Sequence, residues 1–338
     1  MRVCVLSDEV FGNYDPGHHL KNHEWKMYNV KRPTFDFIRD IAMRESYDVY
    51  LNLCDGCEDE DRPGLDVPQA LEALNLPFTG ADSSFYQPTR DGMQALAEKK
   101  GIGFARGIRV FSDENVEAKV KAAGFKFPMI VKHHDSYASA GMSKDNRVEN
   151  NKQLRAQFEK MAEQFGSARI EEFIEGREFT CLIADNPEDL NDPYVYQPVE
   201  IVFQEGETFK HWAMKFDAEA SADMDLAFVT EPGLARRTKN MTRKMYLAMG
   251  GTGYGRADIR MNKDGELFML EMNPNPSVLN MPDDYTSGDY MMQEDTGGTE
   301  SFLDRIFRSA ILRLETRRMP VPVALPRRRK LEPAVVRK

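Results

Sequence analysis

The sequence predicts an α/β (α+β) protein built from three domains and a short basic tail. Its 338 residues are too many for one ordinary hydrophobic core. Short apolar segments typical of strands alternate with segments whose apolar residues recur at helical spacing. A strand–turn–strand pattern over residues 250–278 adds a hairpin near the end of the chain. We place the domains at residues 1–88, 89–166 and 167–320, and the tail at residues 321–338.

The first domain is predicted to be a small α/β unit. Residues 2–6 and 47–53 are short apolar segments that favour strands, and residues 68–74 carry apolar residues at helical spacing. Pro77 ends the helical pattern, because proline cannot continue a helix. Residues 9–36 indicate no clear element beyond a loop rich in Gly and Asn.

Two groups of metal-binding residue types occur in this domain, and neither predicts a metal site. His18, His19 and His23 have no acidic partner nearby, so we expect solvated loop histidines. Cys54 and Cys57 have the spacing of a redox or zinc pair, but two further ligands at a suitable spacing are not evident. Four cysteines in this chain favour incidental thiols in a reducing compartment.

The second domain is predicted to hold a capped helix and a strand that leads into a loop. Thr89 and Asp91 are suitable N-caps for a helix that ends before Gly101. Residues 127–132 form an apolar strand that ends in Lys132, and a loop of small residues follows. The ammonium group and loop N–H groups suit a phosphate. An edge lysine before a flexible loop is the alternative.

The predicted hairpin of the third domain carries the most specific pattern in the chain. Residues 256–259 alternate polar and apolar side chains, as a half-buried strand does. Residues 262–265 form a turn in which glycine can adopt positive φ, and residues 267–272 form the second strand. Further helices are expected at residues 151–165, 236–249 and 300–318, and a loop at residues 282–298.

The hairpin register brings Asp258, Glu271 and Asn273 to neighbouring strand ends. Carboxylate and amide oxygens are ligands that Mg²⁺ accepts, and phosphate oxygens commonly complete its coordination. An ordinary surface hairpin with acidic residues is the alternative. Glu271 argues against it, because a carboxylate inside an apolar strand is costly unless it is paired or metal-bound.

The hairpin resembles the metal-binding end of ATP-grasp ligases, in particular the D-alanine–D-alanine ligase-like group. The family pattern is an Arg-x-Asp strand, a turn, and a Glu-x-Asn strand end before a loop that contains proline. Arg256, Asp258, Glu271 and Asn273 fill these places without a gap. The resemblance covers about residues 46 to 312. It implies an ATP-grasp fold with the nucleotide between the central and C-terminal domains.

The resemblance also implies a purine-binding hinge. Its residues would be Glu171, Glu172, Phe173 and Ile174, with the Glu172 carbonyl and the Ile174 N–H facing the base. Glu178 matches the carboxylate that holds the ribose hydroxyls. The alternative for Glu178 is a satisfied strand carboxylate beside Arg177.

Phosphate contacts are implied at Lys132, at Gly141 in a glycine-rich flap, and at Lys215. Residues 209–216 match a strand that leads into a mobile loop over the active site. The family also has a phosphate-binding lysine on the helix after residue 89. Gln94 occupies its place here, and Arg90 could substitute from one turn earlier.

The implied reaction joins a carboxylate to an amine through an acyl phosphate and releases ADP. The implied catalytic residues are Arg256, Lys215 and Ser139, with Arg256 stabilising the oxyanion. The implied cofactors are ATP and two Mg²⁺ ions, for which Mn²⁺ could substitute.

Four departures from the family pattern argue against strict D-alanine specificity: Asp55, Ala138, Phe216 and Pro282. We therefore expect another amino acid or small carboxylic acid as substrate. The alternatives are a true D-alanine–D-alanine ligase, an amino-acid ligase of mycosporine-type biosynthesis, and a nucleotide-binding protein without activity.

Charge and motif content argue against other classes. A net charge of −10 disfavours nucleic acid as a partner. No Gly-x-Gly-x-x-Gly follows the first strand, which argues against a Rossmann dehydrogenase. No membrane span or signal peptide is evident, so we expect a cytoplasmic protein with small-molecule carboxylate and amine substrates and no membrane partner. A homodimer remains open, and the basic tail is expected to be solvated.

Overall fold

The computed structural model describes residues 1–8, 16–56, 61–135, 141–216 and 224–318. The described residues form helices and three β-sheets. This agrees with the predicted fold class, which mixes α-helices and β-strands. No helix in this part of the chain is long and apolar enough to cross a membrane.

The first sheet contains three parallel strands in the order β2–β1–β3. They are β1 (Arg2–Ser7), β2 (Glu24–Asn29) and β3 (Val49–Asn52), and two helices accompany them, α1 (Thr34–Arg44) and α2 (Asp66–Ala73). β1 and β3 are almost wholly buried, as expected for strands of a parallel sheet that helices cover.

The second sheet has the strand order β4–β7–β5–β6. Its strands are β4 (Gly107–Phe111), β5 (Met129–Lys132), β6 (Arg147–Val148) and β7 (Ser167–Glu172). Its helices are α3 (Arg90–Lys100), α4 (Val116–Ala122) and α5 (Asn151–Phe165). The Thr89 side chain accepts from the Gly92 N–H, and Gly101 closes α3 with φ +64°, as these residue types predict. β7, which we had expected in the third domain, pairs with β4 and β5.

The third sheet has the order β11–β10–β8–β12–β13, with β9 paired to β8. Its strands are β8 (Gly176–Ala184), β9 (Tyr194–Val195), β10 (Val199–Phe203), β11 (Met224–Phe228), β12 (Tyr254–Asn262) and β13 (Leu267–Pro274). The helices of this region are α6 (Ala213–Phe216), α7 (Pro232–Ala248), α8 (Ser287–Gln293) and α9 (Gly298–Arg318).

The hairpin of β12 and β13 forms where the sequence predicts it. The Asn262 side chain accepts from the Asp264 N–H at 3.0 Å and from the Glu266 N–H at 2.9 Å. Gly265 has φ +80°, a conformation that glycine adopts without steric cost. The turn therefore fixes the register that sets Asp258 opposite Glu271.

Three expectations about secondary structure and exposure were wrong. Residues 209–216 are not a strand, because α6 occupies Ala213–Phe216 and no strand precedes it there. The expected loop at residues 282–298 contains α8. The loop histidines are not simply solvated: the His19 ring lies 3.1 Å from the Asn280 carbonyl, and the His23 ring packs edge-on against Phe307. Burial lowers the pKa of His19 and of His23.

The structure describes three of the four cysteines. Cys4, Cys54 and Cys181 are buried and free. Burial raises the pKa of the Cys54 thiol well above its usual value. Cys57 lies outside the described residues, so the pair Cys54 and Cys57 stays untested.

Candidate active site

A cleft of about 780 Å³ lies between the second and third sheets. Strands β5 and β7 contribute one side, strands β8, β12 and β13 the other, and α3 reaches it with its first residue. Eight residues predicted from the sequence line it: Lys132, Glu171, Glu172, Phe173, Ile174, Glu178, Asp258 and Glu271. The three separate motifs therefore meet in one space.

The acidic end of the cleft is built by the hairpin. Asp258 stands opposite Glu271, and Arg256 stands opposite Asn273. The Asn273 amide donates to Asp258 Oδ2 at 3.0 Å, and the Arg256 Nε lies 3.3 Å from Asp258 Oδ1. Burial alone would raise the pKa of Asp258, but the charge of Arg256, the hydrogen bonds from Thr180 and Arg256, and the charge of Lys210 together outweigh it and hold that pKa below its usual value.

The oxygen donors at this end are two carboxylates and a carboxamide. Within the described residues, no three His, Cys, Asp or Glu side chains converge as a metal-binding group. Asp258, Glu271 and Asn273 offer the hard oxygen ligands that Mg²⁺ takes, and such sites leave positions for phosphate oxygens. The donor chemistry therefore fits a Mg²⁺ site that a nucleotide completes.

Arg90, and not Gln94, faces this end of the cleft. Arg90 is buried on the first turn of α3, and its Nη2 lies 2.5 Å from Glu271 Oε2. Gln94 points elsewhere: its side-chain oxygen accepts from the Gly107 N–H at 2.9 Å and from Arg169 Nη2 at 2.6 Å. The geometry thus supports the substitution by Arg90 from one turn earlier.

A buried charge network holds Lys132 at the end of β5. Its Nζ lies 2.7 Å from Glu171 Oε2, and Arg169 Nε lies 2.6 Å from Glu171 Oε1. Burial lowers the pKa of Lys132, and Glu171 only partly offsets this. Burial would raise the pKa of Glu171, but Lys132 and Arg169 outweigh it and hold that pKa below its usual value. Glu171 therefore orients the lysine.

The hinge presents its backbone to the cleft. The Glu172 N–H donates to the Arg106 carbonyl at 3.0 Å, and the Phe173 N–H donates to the Pro128 carbonyl at 3.1 Å. Within the described parts of the chain, the Ile174 N–H finds no acceptor. A backbone donor at a cleft surface is what recognition of a purine ring nitrogen requires.

Glu178 has a different partner from the one we considered. Its Oε2 lies 2.8 Å from Arg260 Nη1, whereas Arg177 pairs with Glu200 and Glu231. Arg260 also lines the cleft, although it was not among the residues predicted from the sequence. The alternation along β12 could have identified Arg260, because it lies two residues after Asp258.

Other predicted residues are only partly described. Ser139 and Ala138 lie outside the described residues, as do the side chains of Lys215 and Phe216, whose backbone belongs to α6. Gly141 has φ +70°, and an added Cβ would lie 3.3 Å from the Phe165 ring. Lys210 lines the cleft and was also missed, because its segment has no regular pattern.

Two further departures from the family pattern are visible. Asp55 forms an ion pair with Arg62, which also binds Asp8 at 2.9 Å. Pro282 begins an exposed helical turn over Pro282–Asp284.

Comparison with known proteins gives one family. Residues 96–282, more than half of the chain, match the family described as D-ala D-ala ligase C-terminus. The D-alanine–D-alanine ligase of Cupriavidus necator is 28% identical over 211 residues, which are 62% of this chain and 61% of that protein. D-alanine–D-alanine ligase B of Chromobacterium violaceum is 25% identical over 238 residues, 69% of this chain and 72% of that protein. The chain thus spans 61% of the length of the first of these relatives.

Solved structures show the same architecture. The D-alanine–D-alanine ligase of Bacillus anthracis complexed with ATP superposes with a TM-score of 0.68 at 20% identity, over 94% of this chain and 99% of that chain. The D-alanine–D-alanine ligase of Coxiella burnetii gives a TM-score of 0.68 at 14% identity, over 94% and 95% of the two chains. At these identities the likeness concerns the fold alone, and it confirms the predicted fold class.

Proposed function

The chain belongs to the D-ala D-ala ligase C-terminus family, and we propose that it is an ATP-dependent ligase that joins a carboxylate to an amine and releases ADP. One observation supports this most: the hinge, a buried lysine and the acidic hairpin line the same cleft. Each motif alone has an ordinary structural alternative. A nucleotide with its metal ion would use all three motifs together: the hinge for the base, the lysine for the phosphates and the acidic hairpin for the metal.

The nucleotide is proposed to lie along this cleft with its base at the hinge. The Glu172 carbonyl would accept from the amino group of adenine, and the Ile174 N–H would donate to the ring. Lys132 and Arg90 would neutralise the phosphates, because both cations line the cleft and charged donors suit phosphate oxygens. Gly141 and Lys215 remain proposed phosphate contacts.

Asp258, Glu271 and Asn273 are proposed to hold two Mg²⁺ ions, for which Mn²⁺ could substitute. The fit rests on the donor set, two carboxylates and a carboxamide that the hairpin register brings together. When bound, these ions would neutralise charge on the phosphate oxygens.

The proposed chemistry has two steps. The substrate carboxylate attacks the γ-phosphorus of ATP, which gives an acyl phosphate and ADP. The amine then attacks the acyl carbon, loses a proton as the C–N bond forms, and displaces phosphate. Arg256 is proposed to stabilise the oxyanion, because its guanidinium stays charged and offers forked donors. Lys215 and Ser139 are proposed to assist from the loops beside the cleft.

D-alanine is the substrate that the comparisons favour. The relatives described above are named D-alanine–D-alanine ligases. These names support the alternative of a true D-alanine–D-alanine ligase more than they support a ligase for another small carboxylic acid. Four residue types speak against D-alanine, and the structure describes the side chains of only two of them, Asp55 and Pro282. We therefore propose D-alanine as the first substrate to test. A cytoplasmic location and a homodimer remain proposals.

The proposed activity is tested by ADP release with product identification by mass spectrometry. Purified protein is incubated with ATP, Mg²⁺ and D-alanine, and in parallel with pools of other amino acids and small carboxylates. We expect equal amounts of ADP and D-alanyl-D-alanine. ADP formed only with a pool would point to another substrate, such as a mycosporine-type acceptor, and nucleotide binding without ADP release would point to a non-catalytic protein.

Glu271→Ala tests the proposed metal role in the same assay. We expect it to lower turnover by roughly 100-fold or more, the scale of a lost electrostatic contact in a reaction centre. Glu266→Ala is the matched control, because Glu266 is exposed in the turn of the same hairpin. Equal turnover of wild-type protein and Glu271→Ala would contradict the assignment.

A further inference from the structure

Strands β8 and β12 place two polar pairs side by side on the sheet face that borders the cleft. The antiparallel register sets Asp258 opposite Thr180 and Arg260 opposite Glu178. Asp258 and Arg260 are two residues apart, so their side chains leave the strand on the same face. The Thr180 hydroxyl donates to Asp258 at 2.8 Å, and Arg260 Nη1 donates to Glu178 at 2.8 Å. Two residues after Asp258 on β12, the same sheet face therefore carries the ion pair of Arg260 and Glu178.

This ion pair is withdrawn from solvent although it belongs to the cleft. The side chains of Arg260 and Glu178 are 3% and 7% exposed, and both line the cleft. A buried carboxylate is costly without a compensating charge. The proposed function gives Glu178 the ribose hydroxyls but gives Arg260 no task.

Arg260 joins three parts of the nucleotide-binding wall. Both terminal nitrogens donate to the Thr208 carbonyl at 3.0 Å, and Nη2 also donates to the Gly176 carbonyl at 3.0 Å. Its guanidinium lies 4.6 Å from the centre of the Phe173 ring in the hinge. Thr208 directly precedes Phe209, which lines the cleft. One side chain therefore sets the beginning of β8, the segment before Phe209 and the hinge ring relative to one another.

The contacts suit an arginine in particular. Only a planar guanidinium can donate in several directions in one plane while its face rests on an aromatic ring. If the pair served the sheet alone, replacing only the arginine by an apolar side chain would lower stability, because Glu178 would stay buried without its partner, but it would leave ligand selectivity unchanged.

We propose that Arg260 is a positioning residue for the sugar of the bound nucleotide, holding the Glu178 carboxylate in the orientation that accepts hydrogen bonds from the ribose hydroxyls. The inference rests on the proposed function, which assigns Glu178 to the ribose. A carboxylate has about four acceptor sites on two oxygens, so a contact of Arg260 with Oε2 is compatible with sugar binding. Arg260 thereby sets the preference for ribonucleotides over nucleotides that lack sugar hydroxyls.

Isothermal titration calorimetry with Mg–ADP and Mg–2′,3′-dideoxy-ADP tests this role. We expect Arg260→Met to weaken ADP binding by about 10- to 100-fold, the scale of lost hydrogen bonds to a charged group, and to remove most of the preference for ADP. Arg260→Lys keeps the charge but lacks the fork, so its preference should be intermediate. The KM for ATP should rise while kcat changes much less, because the reacting groups are untouched.

Arg177→Met is the matched control. Arg177 precedes Glu178 on β8, and its replacement removes two ion pairs, to Glu200 and Glu231, from a side chain that is 36% exposed. Its sugar preference should equal that of the wild-type protein.

A wild-type ADP preference in Arg260→Met would overturn the inference. If that variant does not fold, a wild-type preference in Arg260→Lys would overturn it equally. A preference that is lost in Glu178→Gln but kept in both Arg260 variants would reject the role of Arg260 and leave the proposed function intact. A wild-type protein that binds neither nucleotide would instead refute the proposed function, and the inference with it.

Discussion

At the scale of single residues, basic side chains of the cleft face carboxylates at short range. The ion pairs are Arg90–Glu271 at 2.5 Å, Lys132–Glu171 at 2.7 Å and Arg260–Glu178 at 2.8 Å. Buried pairs of this kind hold both side chains in one geometry because separating the charges leaves each without compensation. A phosphate entering the cleft therefore meets cations whose positions are already set.

Arg90→Ala is expected to weaken ADP binding by roughly 1.5–3 kcal/mol, the range for hydrogen bonds to charged groups. Adenosine binding should change little, because adenosine has no phosphate for Arg90 to contact. Calorimetry with both ligands separates the two effects. Gln94→Ala, one turn further along the same helix, is the control and should leave both affinities near the wild-type values. Equal losses for ADP and adenosine would argue against a phosphate contact.

The sequence identifies some of these residues and not others for a physical reason. Asp258 and Glu271 were predicted to be neighbours because strand period and turn geometry are local properties. The choice between Arg90 and Gln94 could not be made, because it depends on which side of α3 faces the cleft after the domains pack. Lys210 has no periodic context at all.

At the scale of elements, the antiparallel strands β5 and β7 form one wall of the cleft. Glu171 pairs in register with Ile130, and Arg169 pairs with Lys132. The side chains of Lys132 and Arg169 both reach Glu171. The wall therefore carries one buried carboxylate between two cations, and its stability depends on the charge of that carboxylate.

Glu171→Gln should destabilise the protein at neutral pH by about 3–5 kcal/mol, the cost of leaving buried charge unpaired. Because the folded pKa of Glu171 is lowered, its contribution is present above the ordinary glutamate pKa of about 4.3 and is lost as pH falls through the folded value. The difference from wild type should therefore shrink below about pH 4.

Urea denaturation of both proteins at neutral and acidic pH measures this difference. Glu172→Gln is the control, since its pair with Arg106 at 3.3 Å is partly exposed. A stability difference that does not vary with pH would show that Glu171 is not held ionised by its neighbours.

Elements with local signals were predicted well. α5 spans Asn151–Phe165 as expected, and its Asn150 cap accepts from the Gln153 N–H. α8 was missed although Thr286 and Asp289 form a local reciprocal cap, because a helix of seven residues is too short for its helical periodicity to stand out. Asp289 also accepts from the Asn280 amide at 2.7 Å, so the cap is supported by a contact that the pattern of the helix itself does not contain.

At the scale of the whole molecule, α9 joins the first domain to the third sheet. Arg313 Nη2 donates to the Phe78 carbonyl at 2.8 Å, and its Nη1 pairs with Asp185 just after β8. The Tyr246 hydroxyl and the Gly253 N–H also donate to Asp185, each at 2.8 Å. Phe78 bridges to Tyr50 of β3. The junction thus connects the first sheet, β8 and the last helix through one buried carboxylate.

Arg313→Ala is expected to lower the free energy of unfolding by about 3–5 kcal/mol, because it leaves a buried carboxylate without its cation. Arg308→Ala on the same helix removes pairs to Glu188 and Asp304 from a side chain that is 46% exposed, and should cost about 0–1 kcal/mol. Chemical denaturation compares the two variants.

Hydrogen exchange then locates the loss. Amides of β1 and β3 in Arg313→Ala should exchange faster than in the wild-type protein, whereas those of β4 in the second sheet should change less, because the hydrogen bonds of Arg313 go to Phe78 and Asp185, beside the first and third sheets. Equal destabilisation by the two variants, or faster exchange spread evenly over all three sheets, would mean that the attachment of the first domain depends on its shared apolar core with α9 and not on this ion pair. That core includes Val3 and Val5 of β1 together with Phe302 and Ile306 of α9, so the two contributions can be separated by comparing Arg313→Ala with Ile306→Ala.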